Sequence, residues 1–325
     1  MGILENINGP RDLDALSDSQ LPQLCAEIRE HLVQSVAKTG GHLGPNLGVV
    51  ETTVAIHRVF DSPKDPIIFD TGHQSYVHKL LTGRRDLSSL RRKGGIAGYP
   101  QRSESEHDVV ESSHASSSLS WADGIAKAFK ISGQDDRYVI ALLGDGALTG
   151  GMTWEALNNI THENDRKLVI VVNDNGRSYA PTIGGLAKHL TNIRTDRRYK
   201  RMYRFSKRVF YSFGTLGRLV FNAARGAGRS ALETMAPQSM FPNLDIKYIG
   251  PVDGHDILAV EHALKQAKNY SSPVIVHVMT QKGKGFDPAM LNEDDQFHAV
   301  GKIDPTTGES LEVSGGVSWT NVFRD

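Results

Sequence analysis

Four short apolar runs, each rich in β-branched residues, set the strongest limit on how this chain folds: Pro66 to Phe69, Tyr138 to Leu143, Leu168 to Val172 and Val274 to Val278. Runs of that length without polar alternation read as parallel strands buried on both faces. Ser116 to Lys130, Thr153 to His162 and Asp256 to Gln266 carry helical spacing and suit helices that cover the sheet. Strands alternating with helices predict a doubly wound, mostly parallel α/β sheet with helices on both faces and right-handed crossovers. In such sheets ligands gather at the loops beyond the carboxyl ends of the strands.

A chain of 325 residues can bury a core large enough for this plan. Lys+Arg and Asp+Glu balance at 37 each, so no global field favours nucleic acid or an acidic partner. Cys25 is the single cysteine, which excludes an intrachain disulfide framework and any multi-cysteine metal site and fits a reducing compartment. It reads as a packed side chain. Met1 to Asn6 has neither a basic nor an apolar leader pattern, and Asn6 stands where a myristoylation signal needs Ser or Thr. No stretch approaches the roughly 20 apolar residues that span a bilayer. The expectation is a cytoplasmic protein with no nucleic-acid or membrane partner.

Residues 1–320 read as one domain, with an insertion at about 190–242 that lacks strand signals. It is basic from Arg194 to Arg208 and amphipathic from Phe210 to Phe221. A helical or disordered solvated flap is the preferred reading, with membrane-surface or nucleic-acid binding as the alternative.

The chemistry concentrates where the second run ends in Gly144-Asp145-Gly146 and continues through Gly150-Gly151 into a helix. Glycines let backbone N–H groups approach a phosphate, and a helix N-terminus favours negative charge. A carboxylate among anion-binding groups makes sense with a cation between them, which makes Asp145 a candidate magnesium ligand. The third run ends in Asn173-Asp174-Asn175-Gly176-Arg177, with Asn175 thirty positions after Asp145. Neighbouring parallel strands so spaced bring a carboxylate and an amide oxygen to one point, a hard-oxygen site suited to magnesium and a diphosphate. The plainer alternative is two unrelated turns, since Asp, Asn and Gly favour turns.

Gly-Asp-Gly followed about thirty residues later by Asn is the signature that thiamine diphosphate enzymes carry, and this chain resembles them. Further motifs narrow the resemblance: Gly41-His42-Leu43-Gly44, Asp70-Thr71-Gly72-His73-Gln74, Leu81-Thr82-Gly83-Arg84-Arg85, Arg92-Lys93-Gly94-Gly95, Tyr248 to Asp256, and Lys282-Gly283-Lys284-Gly285-Phe286. In that order they resemble the 1-deoxy-D-xylulose-5-phosphate synthase family along nearly the whole chain.

The resemblance implies a thiamine diphosphate-binding fold, a homodimer, and condensation of pyruvate with glyceraldehyde 3-phosphate. Carbon dioxide is released, and the product, 1-deoxy-D-xylulose 5-phosphate, feeds isoprenoid and cofactor synthesis. By the same implication Asp145, Asn175 and the backbone carbonyl of Arg177 hold Mg2+. His73, Ser113, His114, Ala115, Gly146, Ala147, Asn175, Lys282 and Phe286 bind thiamine diphosphate. His42, His73 and His298 are the implied catalytic residues, imidazoles being able to move protons near neutral pH. His57, His78 and His107 read as ordinary packed or surface histidines.

Some positions differ from the family pattern. Ser113 and Ala115 replace a common Gly and Ser, Pro45-Asn46 a Ser-Gly pair, Arg177 a frequent Met, and Phe286 a common Tyr. Family members continue into a second α/β domain whose glutamate hydrogen-bonds the cofactor's aminopyrimidine ring. Residues 321–325 read as the start of the linker to it. The isolated chain is therefore expected to bind cofactor weakly and turn nothing over, as a fragment or half of a split enzyme. Two alternatives are an N-terminal subunit of a split transketolase and a cofactor-free scaffold module.

Overall fold

The computed structural model describes residues 2–163, 165–177, 246–311 and 322–323. The insertion expected at about 190–242 and the domain boundary expected near 320 fall outside the described residues. Five strands, β1 (Ile67–Phe69), β2 (Val139–Gly144), β3 (Leu168–Asp174), β4 (Lys247–Asp253) and β5 (Val274–Met279), form one sheet. Every pairing is parallel and the order is β1-β2-β3-β5-β4.

The four apolar runs become β1, β2, β3 and β5. β4 was not expected as a strand, because Gly250-Pro251 interrupts it. It lies at the sheet edge, and its register against β5 shifts between Ile249 and Val252. An edge strand with a bulge is where a sheet tolerates proline. Gly250, at φ +141°, lets β4 pass β5 closely, since an added Cβ would sit 2.7 Å from His277 O.

Eight helices pack around the sheet among the described residues: α1 (Leu21–Thr39), α2 (Gly44–Gly48), α3 (Val50–Val59), α4 (Tyr76–Leu81), α5 (Ser118–Ile131), α6 (Gly151–His162), α7 (Ile257–Lys268) and α8 (Asp287–Leu291). Side chains alternate across the strands and so build two cores. Ile140, Leu142, Val169, Val171, Val274 and Val276 face one core with α1, α3, α4 and α7. Val139, Ala141, Leu143, Ile170, Val172 and Ile275 face the other with α5 and α6. Helices on both faces are what the sequence pattern called for.

In α1, Leu21, Leu24, Ile28, Leu32 and Val36 share one buried stripe at helical spacing. Each such side chain contributes about 1.5–3 kcal/mol by leaving water. The helix stops at Gly40 (φ +75°), which hands the chain to His42. α7 starts at its cap, Asp256, whose carboxylate accepts from Ala259 N–H at 3.2 Å. Because all strands run one way, the loops beginning at Asp70, Asp145, Asn175, Gly254 and Thr280 leave the same edge of the sheet. No helix among the described residues is long and apolar enough to cross a membrane.

Candidate active site

Gly144 and Asn173 are register partners across β2 and β3. Asp145 and Asn175 therefore leave adjacent strand ends one and two residues later. Asp145 is 2% exposed. At the end of β3, Asn173 and Asp174 serve the sheet itself. Asn173 Nδ2 donates to Gln74 Oε1 at 3.0 Å, and its Oδ1 accepts from Thr280 Oγ1 at 2.5 Å. Asp174 Oδ2 accepts from His277 Nε2 at 3.1 Å, leaving His277 Nδ1 to accept from Tyr248 OH at 2.7 Å. These bonds tie the end of β3 to the loop after β1, to β5 and the residue that follows it, and through His277 to β4.

Asn175 makes a local turn, its Oδ1 accepting from Arg177 N–H at 3.0 Å. The Arg177 side chain reaches away to the carbonyls of Glu293 (2.7 Å) and Asp294 (3.2 Å). That leaves its own backbone oxygen as the group it can offer at the strand end.

The glycine-rich turn after β2 is pinned through Ala147 O, which accepts from Ser116 Oγ at 2.8 Å and Thr153 Oγ1 at 2.9 Å. Gly150 has to be glycine because an added Cβ would collide with Ser116 Oγ. Asp70, at the end of β1, holds the start of α5 by accepting from Ser116 N–H at 2.9 Å and Ser118 N–H at 3.1 Å. Ser113, His114 and Ala115 stand exposed just before that point, while Ala147 is buried and Gly146 half-buried.

His42, His73 and His298 come together from three separate segments. Ring centroids of His42 and His73 are 5.3 Å apart, those of His42 and His298 5.8 Å, and those of His73 and His298 5.1 Å in a stacked pair. Lys282 Nζ donates to His298 Nδ1 at 2.9 Å. The His298 loop is clamped to the His42 loop by Gly44 N–H to Phe297 O (2.8 Å) and by reciprocal 2.9 Å bonds between Gly41 and Val300. Gly44 admits no side chain, since a Cβ would meet Gln296 O.

Burial, then the cations Arg91 and Lys282, pushes the His42 imidazolium down to about 4. His73 is held well below the ordinary histidine range by burial, then by His42, His298 and Lys282. Burial pushes the Lys282 ammonium down to about 8, with Asp295 and Asp145 favouring its charge and Arg177 opposing it. At neutral pH both imidazoles are uncharged and can donate or accept.

Phe286 packs on Phe297, ring centroids 6.0 Å apart. It also lines a cavity of about 540 Å³ with Cys25, Arg29, Glu51 and His255. Burial pushes the Cys25 thiol up to about 12, so it is inert.

The unmatched polar atoms of the site would suit a polar, anionic ligand. Nδ1 of His42 and Nδ1 of His73 are buried without a protein partner, a cost of about 1–3 kcal/mol each that a polar ligand removes. No group of three or more His, Cys, Asp or Glu able to hold a metal occurs among the described residues. Asp145, Asn175 and Arg177 offer one carboxylate, one amide and one backbone oxygen, the hard-oxygen donor chemistry that would suit a cation such as Mg2+.

Reading motifs alone missed Asn46, Tyr76 and Thr280. Asn46 bonds to the backbones of both His42 and His73, and Tyr76 OH accepts from His42 N–H at 3.2 Å. One signal was available: a carboxamide inside the apolar run Leu43 to Val50 is buried only when its polar atoms are matched.

A family model described as 1-deoxy-D-xylulose-5-phosphate synthase matches residues 4–280. A 1-deoxy-D-xylulose-5-phosphate synthase of Clavibacter sepedonicus is 65% identical over 100% of this chain and 50% of its own length. That of Leifsonia xyli is 64% identical with the same coverage, and that of Thermobifida fusca is 57% identical over 100% of this chain and 51% of its own. The chain thus spans about half the length of the curated relatives it matches. A transketolase from Campylobacter jejuni superposes with a TM-score of 0.60 at 20% identity, covering 95% of this chain and 46% of that one. A transketolase mutant from Pichia stipitis gives 0.61 at 18%, covering 94% and 43%. These two likenesses show the fold alone. With the family model across most of its length and relatives 57–65% identical over the whole of this chain, the chain belongs to the 1-deoxy-D-xylulose-5-phosphate synthase family.

Proposed function

We propose that this chain is the diphosphate- and magnesium-holding half of a synthase that joins pyruvate to glyceraldehyde 3-phosphate, releasing carbon dioxide and forming 1-deoxy-D-xylulose 5-phosphate. The observation that carries this reading is the convergence of His42, His73, His298 and Lys282 beside the strand ends that bear Asp145 and Asn175. Thiamine diphosphate, when bound, supplies the electron sink that lets a 2-oxo acid lose carbon dioxide and join an aldehyde.

The chain's own residues have distinct tasks. Asp145, Asn175 Oδ1 and the Arg177 carbonyl would hold Mg2+, while Gly146, Ala147 and Lys282 would meet the diphosphate. Ser113, His114 and Ala115, exposed at the same edge, would line the entry. Phe286 would act through Phe297, which carries His298 next to it in sequence. His42 and His73, kept neutral by burial, would hydrogen-bond carbonyl or carboxylate oxygen of the substrates. His298 accepts at Nδ1 from Lys282, so its remaining proton is on Nε2, facing outward from that bond.

The same reading places the protein in the cytoplasm as a homodimer. α5 and α6 expose Trp121, Met152 and Trp154 on one face of the sheet, which supports a second copy there. Calorimetry of the chain with thiamine diphosphate, with and without Mg2+, tests the reading, together with a carbon dioxide assay in the chain joined to the remainder of its family's length. Magnesium-dependent binding and pyruvate-dependent turnover are expected. Binding that ignores Asp145→Ala, or turnover with ketose phosphates in place of pyruvate, would overturn it.

A further inference from the structure

Asn46 follows His42 by four residues and is fully buried, at 0% exposure. Its Nδ2 donates to His42 O at 2.7 Å and to His73 O at 2.8 Å, and its Oδ1 accepts from Tyr76 N–H at 2.9 Å. Both amide hydrogens thus go to the main-chain oxygens of two histidines from distant segments, one following α1 and one following β1. The third bond ties the same carboxamide to the first residue of α4.

The rings are held less directly than their backbones. Nδ1 of each is buried without a protein partner, so no hydrogen bond at that atom sets the ring's orientation. Placement of the rings then follows from where their backbones are held. The rings meet edge to face at 67° and 5.3 Å. A shift of either carbonyl would change that spacing directly.

We infer that Asn46 is the positioning residue of the histidine pair: one carboxamide sets the separation of two imidazoles that await a shared ligand. The inference rests on the reading of His42 and His73 as the groups that meet cofactor or substrate. Asn46 itself is fully buried and acts through their backbones. Serine or alanine is too short to span both carbonyls. Aspartate keeps the shape, but when ionised it turns an oxygen toward two carbonyl oxygens and repels both.

The test compares ring nitrogen and carbon NMR signals of every buried histidine in the wild-type chain, Asn46→Asp and Asn46→Ser, all without cofactor. Signals of His42 and His73 should move together in both variants, while those of His57, His78 and His277 stay at wild-type positions. Thiamine diphosphate should bind about tenfold more weakly, the loss of roughly one good hydrogen bond. Unchanged His42 and His73 signals overturn the inference. So does an equal movement at His57 and His78, which marks general loosening. Should the charged variant fail to fold, Asn46→Ser decides alone, because it introduces no charge. If the wild-type chain binds no thiamine diphosphate, the proposed function fails while the ring signals still judge Asn46.

Discussion

Two clusters of histidines, His57 with His78 and His42 with His73 and His298, are built by different rules. Around His57 and His78 the chain provides its own partners. His57 Nε2 meets His78 Nδ1 at 2.9 Å, and His78 Nε2 donates to Asp108 at 3.0 Å. Asp108 also accepts from Arg84 at 2.6 and 2.9 Å and from Gln101 N–H at 2.7 Å. Lys79 binds Glu104 at 2.5 Å beside them. Apart from His57 Nδ1, the ring nitrogens of this pair are matched. Arg91 and Lys282 act on His42, and His42, His298 and Lys282 act on His73, all opposing a positive charge, and Nδ1 of each ring has no protein partner. The first cluster matches all but one of its ring nitrogens, through a carboxylate of the chain, and stabilises the fold; the second leaves Nδ1 of both His42 and His73 for an acidic ligand to complete.

The largest expected effect breaks the cluster built around Asp108. Asp108→Ala leaves Arg84 with only its 3.4 Å contact to Glu104 as a charge partner and unpairs His78 Nε2, and should cost about 3–5 kcal/mol in chemical denaturation. His73→Ala removes a ring that has no partner at Nδ1 and should cost under about 2 kcal/mol. Equal losses would mean the second cluster is as structural as the first.

Next comes pH. The His42 imidazolium is depressed to about 4 in the folded chain, against about 6.5 when unfolded. Below pH 6.5 the unfolded state binds a proton that the folded state refuses. Stability should therefore fall as pH drops from about 6.5 towards 4, by about 3 kcal/mol for this ring. His73 acts in the same direction. In His42→Asn that part of the slope should vanish. A profile identical to wild type would show that His42 titrates normally and the cluster is open to water.

Ligand linkage then separates the clusters by what they recognise. Thiamine diphosphate with Mg2+ at a hundredfold excess over Kd should raise stability by about 2.7 kcal/mol. Asp145→Ala should abolish the gain, while a Lys79 or Arg84 variant that still folds should keep it. A gain that survives Asp145→Ala would place the metal elsewhere.

How much of this contrast was readable beforehand depended on whether it was local. Apolar runs reported β1, β2, β3 and β5 because strands buried on both faces need continuous apolar side chains. β4 was hidden, since Gly250-Pro251 breaks the pattern and its fit depends on lying at an edge beside β5. Asp145 and Asn175 announced themselves by glycines and spacing, whereas their separation from Asn173 and Asp174, which serve the sheet, needed coordinates. His57 and His78 gave no local sign of Asp108, thirty residues beyond His78, because partners in a buried network are chosen by packing. Asn46 looked like a departure from a family pattern until its three bonds could be traced.

The smallest expected effect refines the ligand-facing side. The Arg177 guanidinium ties the turn after β3 to the carbonyls of Glu293 and Asp294, in the loop that leads to His298. Arg177→Met cuts those bonds and keeps the backbone oxygen, so stability should fall by about 1 kcal/mol. Mg2+ affinity in the presence of thiamine diphosphate should change less than about tenfold, the equivalent of one hydrogen bond. The His298 ring, held by Lys282 on one side and by this loop on the other, should show the change by NMR. A larger loss of metal affinity with an unmoved His298 signal would assign the metal contact to the guanidinium's neighbourhood instead of to the carbonyl. A moved signal with affinity intact would show that the metal turn and the histidine cluster are joined through a side chain, as the bonds to Glu293 and Asp294 require.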